Sequence, residues 1–406
     1  MCSRREGVCA NTSSGAEVPT GLEIAEIFRR FSGELSALSA EQAKAIKDIV
    51  DCRTAALGGH VHQCDHCGHV QDLYNSCCNR HCPKCQSLKQ VKWIEERRKD
   101  LLPVEYFHVV FTIPSALHPL FHFNQRACYN LLFAAVKETL LEVASNSTFL
   151  EARIGLTAVL HTWTQNILFH PHIHCIVPGG GLNREGTKWT SCKEGYFLPV
   201  KILSTVFRGK LLGKLERALK KGKVRLPGKD PFALLREATN TSWVVFSKPP
   251  FAGPDQVLRY LGRYTQRIAI SNNRLVSLNG RQVTYKWKDR ADGDKQKLAT
   301  IDAAELIRRF LMHVLPHGFM RIRHYGLLAN AVHKDLIPLC RKLLAAEGKH
   351  DHTAEDDSEP ETWQQVMTRL TGIDMTLCPE CRHGHLIKKE TIQPSKWSLP
   401  GRAASP

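Results

Sequence analysis

"LFHPHIHCIVPGG", residues Leu168–Gly180, decides how the middle of this chain is read. His170, His172 and His174 fall at every second position. A strand sends alternate side chains to one face, so a strand here carries imidazoles on one side and Ile173 on the other. His172 and His174 then form a two-point grip for a divalent cation. The preceding stretch "IGLTAVLHTWTQ" also reads as a strand, and a short turn near Asn166 joins the two. Antiparallel pairing across that turn can bring His161 alongside as a third ligand, with Gln165 as a second candidate. His170 is set aside because it precedes Pro171, where strand geometry bends. Three imidazoles leave open positions on a cation, and an open cation polarises and orients a phosphoryl group. A histidine-rich surface strand is the plain alternative.

The charge points the same way. The 406 residues hold 56 Lys and Arg against 39 Asp and Glu, a net charge of +17. Such an excess favours a polyanionic partner, nucleic acid before an anionic membrane surface. No apolar run is long enough to span a membrane. The opening "MCSRREGVCANTSSGAEVP" has no apolar core of a signal peptide, so a reducing cytosol is expected. The 15 cysteines then need an explanation other than disulfides.

Seven of those cysteines crowd into "CRTAALGGHVHQCDHCGHVQDLYNSCCNRHCPKCQ". Cys64 and Cys67 form one CxxC, Cys82 and Cys85 another, with fourteen residues between them. This is two-knuckle spacing, and four thiolates close a tetrahedron around one structural zinc. Cys77 and His81 are further candidate ligands, as are Cys52, Cys78, His60, His62, His66 and His69. A lone "CPECRHGHL" near the end offers a possible second zinc at Cys378 and Cys381, with His383 and His385 nearby.

Helical spacing marks "GLEIAEIFRRFSGEL", "SAEQAKAIKDIVDC", "NQRACYNLLFAAVKETLLEVA", a long basic helix through Lys210–Arg225, and "DAAELIRRFLMHVLP". "EYFHVVFTIP", "SWVVFSK", "RIAIS", "RLVSL" and "QVTYKWKD" read as strands. Strands and helices mixed without strict alternation predict an α+β fold around an antiparallel sheet. The expected organisation is a polar tail over 1–20, a zinc-binding domain over 21–100, a catalytic domain over 101–335, and an acidic linker with a CxxC tail over 336–406.

"RYLGRYTQR" supplies Tyr260 and Tyr264, four apart and so on one face of a helix. Arg259, Arg263 and Arg267 surround them, and cations beside a phenol stabilise phenolate and grip phosphate. Aromatic pairs at this spacing otherwise pack into cores. The basic helix over Lys210–Arg225 is a candidate track for a nucleic-acid strand, or else a solvated helix face. The basic, aromatic stretches "WKDRADGDKQK" and "RIRHYG" could stack unpaired bases, with burial of their aromatics in the core as the simpler reading.

The cysteine module, then His-apolar-His, then the tyrosine helix together resemble the HUH rolling-circle transposases of the IS91 type and their common-region relatives. The resemblance runs from about Gly21 through "VLHTWTQNILFHPHIHCIVPGGGL" and "YLGRYTQRIAISNNRL" to "LIRRFLMHVLPHGFMRIRHYGLLANA". It implies an HUH nuclease sheet. It also implies Mg2+ or Mn2+ on His172 and His174, with His161 at the third position, and Tyr260 and Tyr264 as nucleophiles. The implied activity is nicking and rejoining of single-stranded DNA at element ends through a 5′-phosphotyrosine, in the bacterial cytosol. A plasmid relaxase or replication initiator shares those parts but usually lacks the knuckles. A non-catalytic zinc protein that only binds nucleic acid is the reading from another class.

Overall fold

The computed structural model describes residues 21–85, 93–94, 96–248, 257, 269–289, 292–349, 362, 365, 368, 372, 374 and 376–395. Thirteen strands are described: β1 (Gly59–Cys64), β2 (Val70–Tyr74), β3 (Tyr106–Thr112), β4 (Gly155–Trp163), β5 (Phe169–Pro178), β6 (Gly180–Leu182), β7 (Trp189–Ser191), β8 (Val245–Lys248), β9 (Leu275–Asn279), β10 (Gln282–Asp289), β11 (Lys295–Asp302), β12 (Ile322–Gly326) and β13 (Leu386–Ile392). Every pairing is antiparallel. Helices pack on these sheets, so the fold is α+β, as the pattern of elements predicts.

The central sheet has the order β12-β4-β5-β3-β8. Two of its three inner strands, β4 and β5, are the histidine strands. One face carries Leu156, Ala158 and Leu160 of β4, Ile173, Cys175 and Val177 of β5, and Phe107, Val109 and Phe111 of β3. These positions alternate, as a pleat requires. Two long helices cover that face. The Gln125–Ser145 helix buries Cys128, Tyr129, Leu132, Phe133, Val136 and Leu140 along one stripe. The Val200–Lys220 helix buries Leu203, Phe207, Leu211 and Leu215 at four-residue spacing. Its Lys210 and Lys214 pair with Glu142 and Glu138 of the first helix at 2.6 and 2.7 Å. Those two lysines therefore serve helix packing, whatever else the basic helix does.

The other face of the sheet carries the residues in between, and the histidines lie there. Its lower end is closed by an apolar patch in which Tyr106, Ile176, Leu101 and Val257 are buried together. A second core joins the N-terminal helices, Ile24–Phe31 and Ala40–Asp51, to the sheet β11-β10-β9 and to the Ala303–Leu311 helix. Residues on both sides of position 100 share this core.

The two basic, aromatic stretches pack their aromatics as the simpler reading expects, Tyr325 on the first core and Trp287 on the second, and lie partly in strands, whereas "RIAIS" departs from its strand reading. "RIRHYG" becomes edge strand β12, where Arg323 stacks on Phe133 and Phe319 at 4.2 and 5.2 Å and bonds Asn130. The basic end of "WKDRADGDKQK" opens β11, a strand hidden by its polar residues. The described part of "RIAIS", Ala269–Ser271, is in no strand, and Ala269 and Ile270 fill the second core instead. The His333–Ala346 helix was not anticipated, because Pro338 inside it reads as a breaker.

Candidate metal centres

Three clusters of ligand atoms stand in the described structure, each with its atoms within 4.8 Å of one another. The first is the histidine set. β4 and β5 pair so that His161 lies directly opposite His172. The register slips between His161 and Trp163, beside Pro171, which has no N–H for the ladder. Cross-strand neighbours and the i, i+2 pleat thus bring His161, His172 and His174 together. Ring centroids are 4.5 Å apart for His161 and His174, 4.8 Å for His172 and His174, and 5.6 Å for His161 and His172. His161 and His174 are buried, and His172 is partly exposed.

The rings are held in place by their surroundings. His161 stacks on Trp163 at 4.8 Å. His172 Nδ1–H donates to the His170 carbonyl at 2.6 Å, so Nε2 is its candidate metal-binding nitrogen. His174 Nδ1 lies 2.8 Å from Nε2 of His108, with the two rings stacked at 5.0 Å. His108, on β3, is buried and was not singled out from the sequence. A single His inside "EYFHVVFTIP" has no periodic partner, and its place beside His174 depends on β3 pairing with β5. His170 lies ring to ring with both His172, at 5.3 Å, and His118, at 5.6 Å, but is not part of the ligand cluster. Burial pushes His118 and His313 down to about 4. These neighbours are therefore neutral at neutral pH and do not compete in charge with a divalent cation.

The cysteines form two further clusters, and here the sequence expectation is corrected. Cys64, Cys67, Cys82 and Cys85 do not meet at one point. Cys82 and Cys85 gather with Cys52 and Cys77, whereas Cys64 and Cys67 gather with Cys378 and Cys381. The Cys82–Cys85 knuckle finds its partners within the block, whereas the Cys64–Cys67 knuckle finds its own near the end of the chain. His81, a candidate ligand, stays out: Cys52 supplies the fourth sulfur, and His81 Nε2 accepts from the Leu315 N–H at 3.4 Å. Burial holds its pKa well below the usual imidazole value.

Sulfur spacing tests whether zinc fits. Cys77 and Cys85 are 3.8 Å apart, and Cys64–Cys381 and Cys67–Cys378 are each 3.7 Å apart. A tetrahedron with Zn–S bonds of about 2.3 Å has an edge of about 3.8 Å. A disulfide would bring the sulfurs to about 2.05 Å. The spacing is that of thiolates around one ion. Left to themselves, the four thiols of the inner cluster share charge unevenly: hydrogen bonds from Cys77, Cys82 and Cys85 hold Cys52 low, and the same network pushes Cys77 up. Zinc would ionise all four together.

Tyr260, Tyr264, Arg259, Arg263 and Arg267 lie outside the described residues. Val257, just before them, is described; it is buried against the patch containing Tyr106 and Ile176.

Comparison with known proteins agrees with this anatomy. Residues 24–113 match the family described as "Transposase zinc-binding domain". Residues 155–335 match the family described as "Putative transposase". The "Putative transposase y4qJ" of Sinorhizobium fredii (strain NBRC 101917 / NGR234) is 47% identical over 386 residues, covering 91% of this chain and 96% of that protein. The "Transposase for insertion sequence element IS801" of Pseudomonas savastanoi pv. phaseolicola is 27% identical over 313 residues, covering 73% of this chain and 72% of that protein. No solved structure matches. An α+β sheet joined to a zinc-binding module thus belongs to a DNA-processing enzyme, a transposase. More particularly, the chain belongs to the IS91 family of transposases. Among the described residues, no helix is long and apolar enough to cross a membrane.

Proposed function

We propose that this transposase nicks and rejoins single-stranded DNA at the ends of its element through a 5′-phosphotyrosine, in rolling-circle fashion. The observation that carries the reading is the convergence of His161, His172 and His174 from two neighbouring strands. On this reading the three imidazoles hold Mg2+ or Mn2+. A cation bound there would neutralise charge on the scissile phosphate and leave positions open for its oxygens.

The remaining chemistry falls to the chain. The phenol of Tyr260 or Tyr264 gives up its proton, and its oxygen forms a bond to phosphorus while the bond to the 3′ oxygen breaks. The 3′ oxygen takes up a proton and leaves as a hydroxyl. The phosphotyrosine retains the energy of the phosphodiester, so rejoining is the same step in reverse and needs no ATP. Arg259, Arg263 and Arg267 grip the backbone phosphates around the scissile linkage. His108 and the His170 carbonyl orient the ligand rings from behind.

Covalent reach supports the tyrosine assignment. Val257 packs with Ile176, two residues beyond His174 along β5 and on the same face. Tyr260 follows Val257 by three residues in the sequence, and Tyr264 by seven. The net charge of +17 suits a polyanionic strand. A DNA substrate and a thiol-rich, zinc-fitting chain suit action in the bacterial cytosol.

The test is incubation with labelled single-stranded DNA and Mg2+, followed by a denaturing gel and mass mapping of the DNA-linked peptide. The expected adduct maps to Tyr260 or Tyr264. Tyr260→Phe with Tyr264→Phe should still bind the strand and form no adduct. An adduct that survives in this double variant would overturn the assignment.

A further inference from the structure

We propose that Cys64, Cys67, Cys378 and Cys381 hold a second zinc ion, and that this ion clasps the C-terminal segment onto the N-terminal module as a detachable unit. The site stands apart from the histidine cluster and does not depend on the nicking reaction. Cys378 and Cys381 lie beyond both matched segments, 24–113 and 155–335.

Several observations converge on it. Cys67 and Cys378 are 311 positions apart in sequence, yet their sulfurs are 3.7 Å apart. Each knuckle carries the amide-to-sulfur bonds of a metal-binding turn: His66 and Cys67 N–H donate to Cys64 Sγ at 3.4 and 3.5 Å, and Gly384 N–H donates to Cys381 Sγ at 3.4 Å. The two knuckles also bond each other directly. His385 N–H donates to Asp65 Oδ1 at 2.7 Å, and Asp65 N–H donates to the His385 carbonyl at 3.1 Å. Gly384 fits against this junction only because it has no side chain. A Cβ there would sit 2.5 Å from Cys64 Sγ and 2.6 Å from Asp65 Oδ1.

The decisive point is what else could hold the segment. β13 pairs with β1, and β1 with β2, in a sheet of three strands. None of the three contributes a side chain to the apolar cores of the described structure. Val70, Leu73 and Ile387 are exposed. A three-stranded sheet with no apolar face is marginal in water. Zinc therefore takes the place of a core, as it does in small metal-folded modules. Cys67 is exposed and Cys381 is partly exposed, so chelators and oxidants reach this ion. The inner Cys52 cluster lies within the second core, where access is poor.

Zinc counting on the full-length protein, purified under reducing conditions, tests the proposal. Two ions per chain are expected, and one in Cys378→Ser with Cys381→Ser. Cys64→Ser with Cys67→Ser should match that loss, because both pairs serve the same ion. Hydrogen exchange should show protection lost across β13 and β1 in either variant and kept in the Ile24–Phe31 and Ala40–Asp51 helices. Should a variant fail to fold, a chelator titration of the unaltered protein gives the same answer: one zinc leaves first, together with β13 protection. A single zinc in the unaltered protein, two in the Cys378/Cys381 variant, or simultaneous loss of both ions with global unfolding would each overturn the proposal.

Discussion

The Cys52–Cys77–Cys82–Cys85 cluster and the histidine cluster are both compact sets of ligand atoms, but they are built for opposite ends. The cysteine set offers four soft thiolates and sits inside an apolar core with Ile49, Phe28 and Phe310. A cation with four thiolates has no vacancy, so it can only hold structure together. The histidine set offers three imidazoles on one face of a sheet that is already held by its own core on the other face. It can be emptied without loss of that core, and it leaves positions for substrate. Ligand count and the source of local stability, rather than burial alone, separate a site fitted to a structural metal from one that, on the proposed function, would hold a reactive cation.

The largest effect should come from the cysteine side. A structural zinc contributes on the order of 10 kcal/mol, comparable to the roughly 5–15 kcal/mol that holds a whole domain. Cys82→Ser with Cys85→Ser should therefore lose the inner zinc and unfold the N-terminal core, seen as lost zinc content and a lost cooperative melt. A variant that melts like the unaltered protein would break the comparison, because the core would then be self-sufficient.

The histidine side should respond in the reverse sense. His172→Ala with His174→Ala should melt within a few degrees of the unaltered protein, since the apolar face of the sheet is untouched. Its rate of adduct formation should fall about a thousandfold, the scale of losing a main electrostatic stabiliser. If this variant unfolds instead, the two clusters differ less than their surroundings suggest.

How much of this was legible in the sequence follows from how local each fact is. The pairing of His161 with His172 rests on strand alternation and one short turn, both readable within twenty residues. The thiol partners were not readable in the same way. A gap of fourteen residues shows that two knuckles can meet. It does not show that a pair more than three hundred residues away will claim one of them. Cys52 and Cys77 sit at no regular spacing; the β1–β2 hairpin returns the chain, so that Arg53 N–H donates to the Asn75 carbonyl at 3.0 Å and Cys77 N–H to Cys52 Sγ at 3.4 Å. "RIRHYG" reads as a basic, aromatic patch because its charge is visible in sequence, whereas the Phe133 and Phe319 rings that Arg323 covers come from distant elements.

His108 is the subtlest of these long-range facts, and it sharpens the contrast furthest. A thiolate in a closed cluster is oriented by its knuckle, whereas an imidazole ligand needs support at its other nitrogen. His108 Nε2, 2.8 Å from His174 Nδ1, is placed to give that support. With His174 Nε2 turned to the cation, His174 Nδ1–H would donate to His108. His108→Phe keeps a flat ring in the stacked position and removes the bond. Outer partners of this kind are worth about 10–100-fold in metal affinity. The variant should thus need about 10–100 times more Mg2+ for half-maximal adduct formation and should regain most of its rate at saturation. A purely structural His108 would lower the melting temperature and leave the metal requirement where it was.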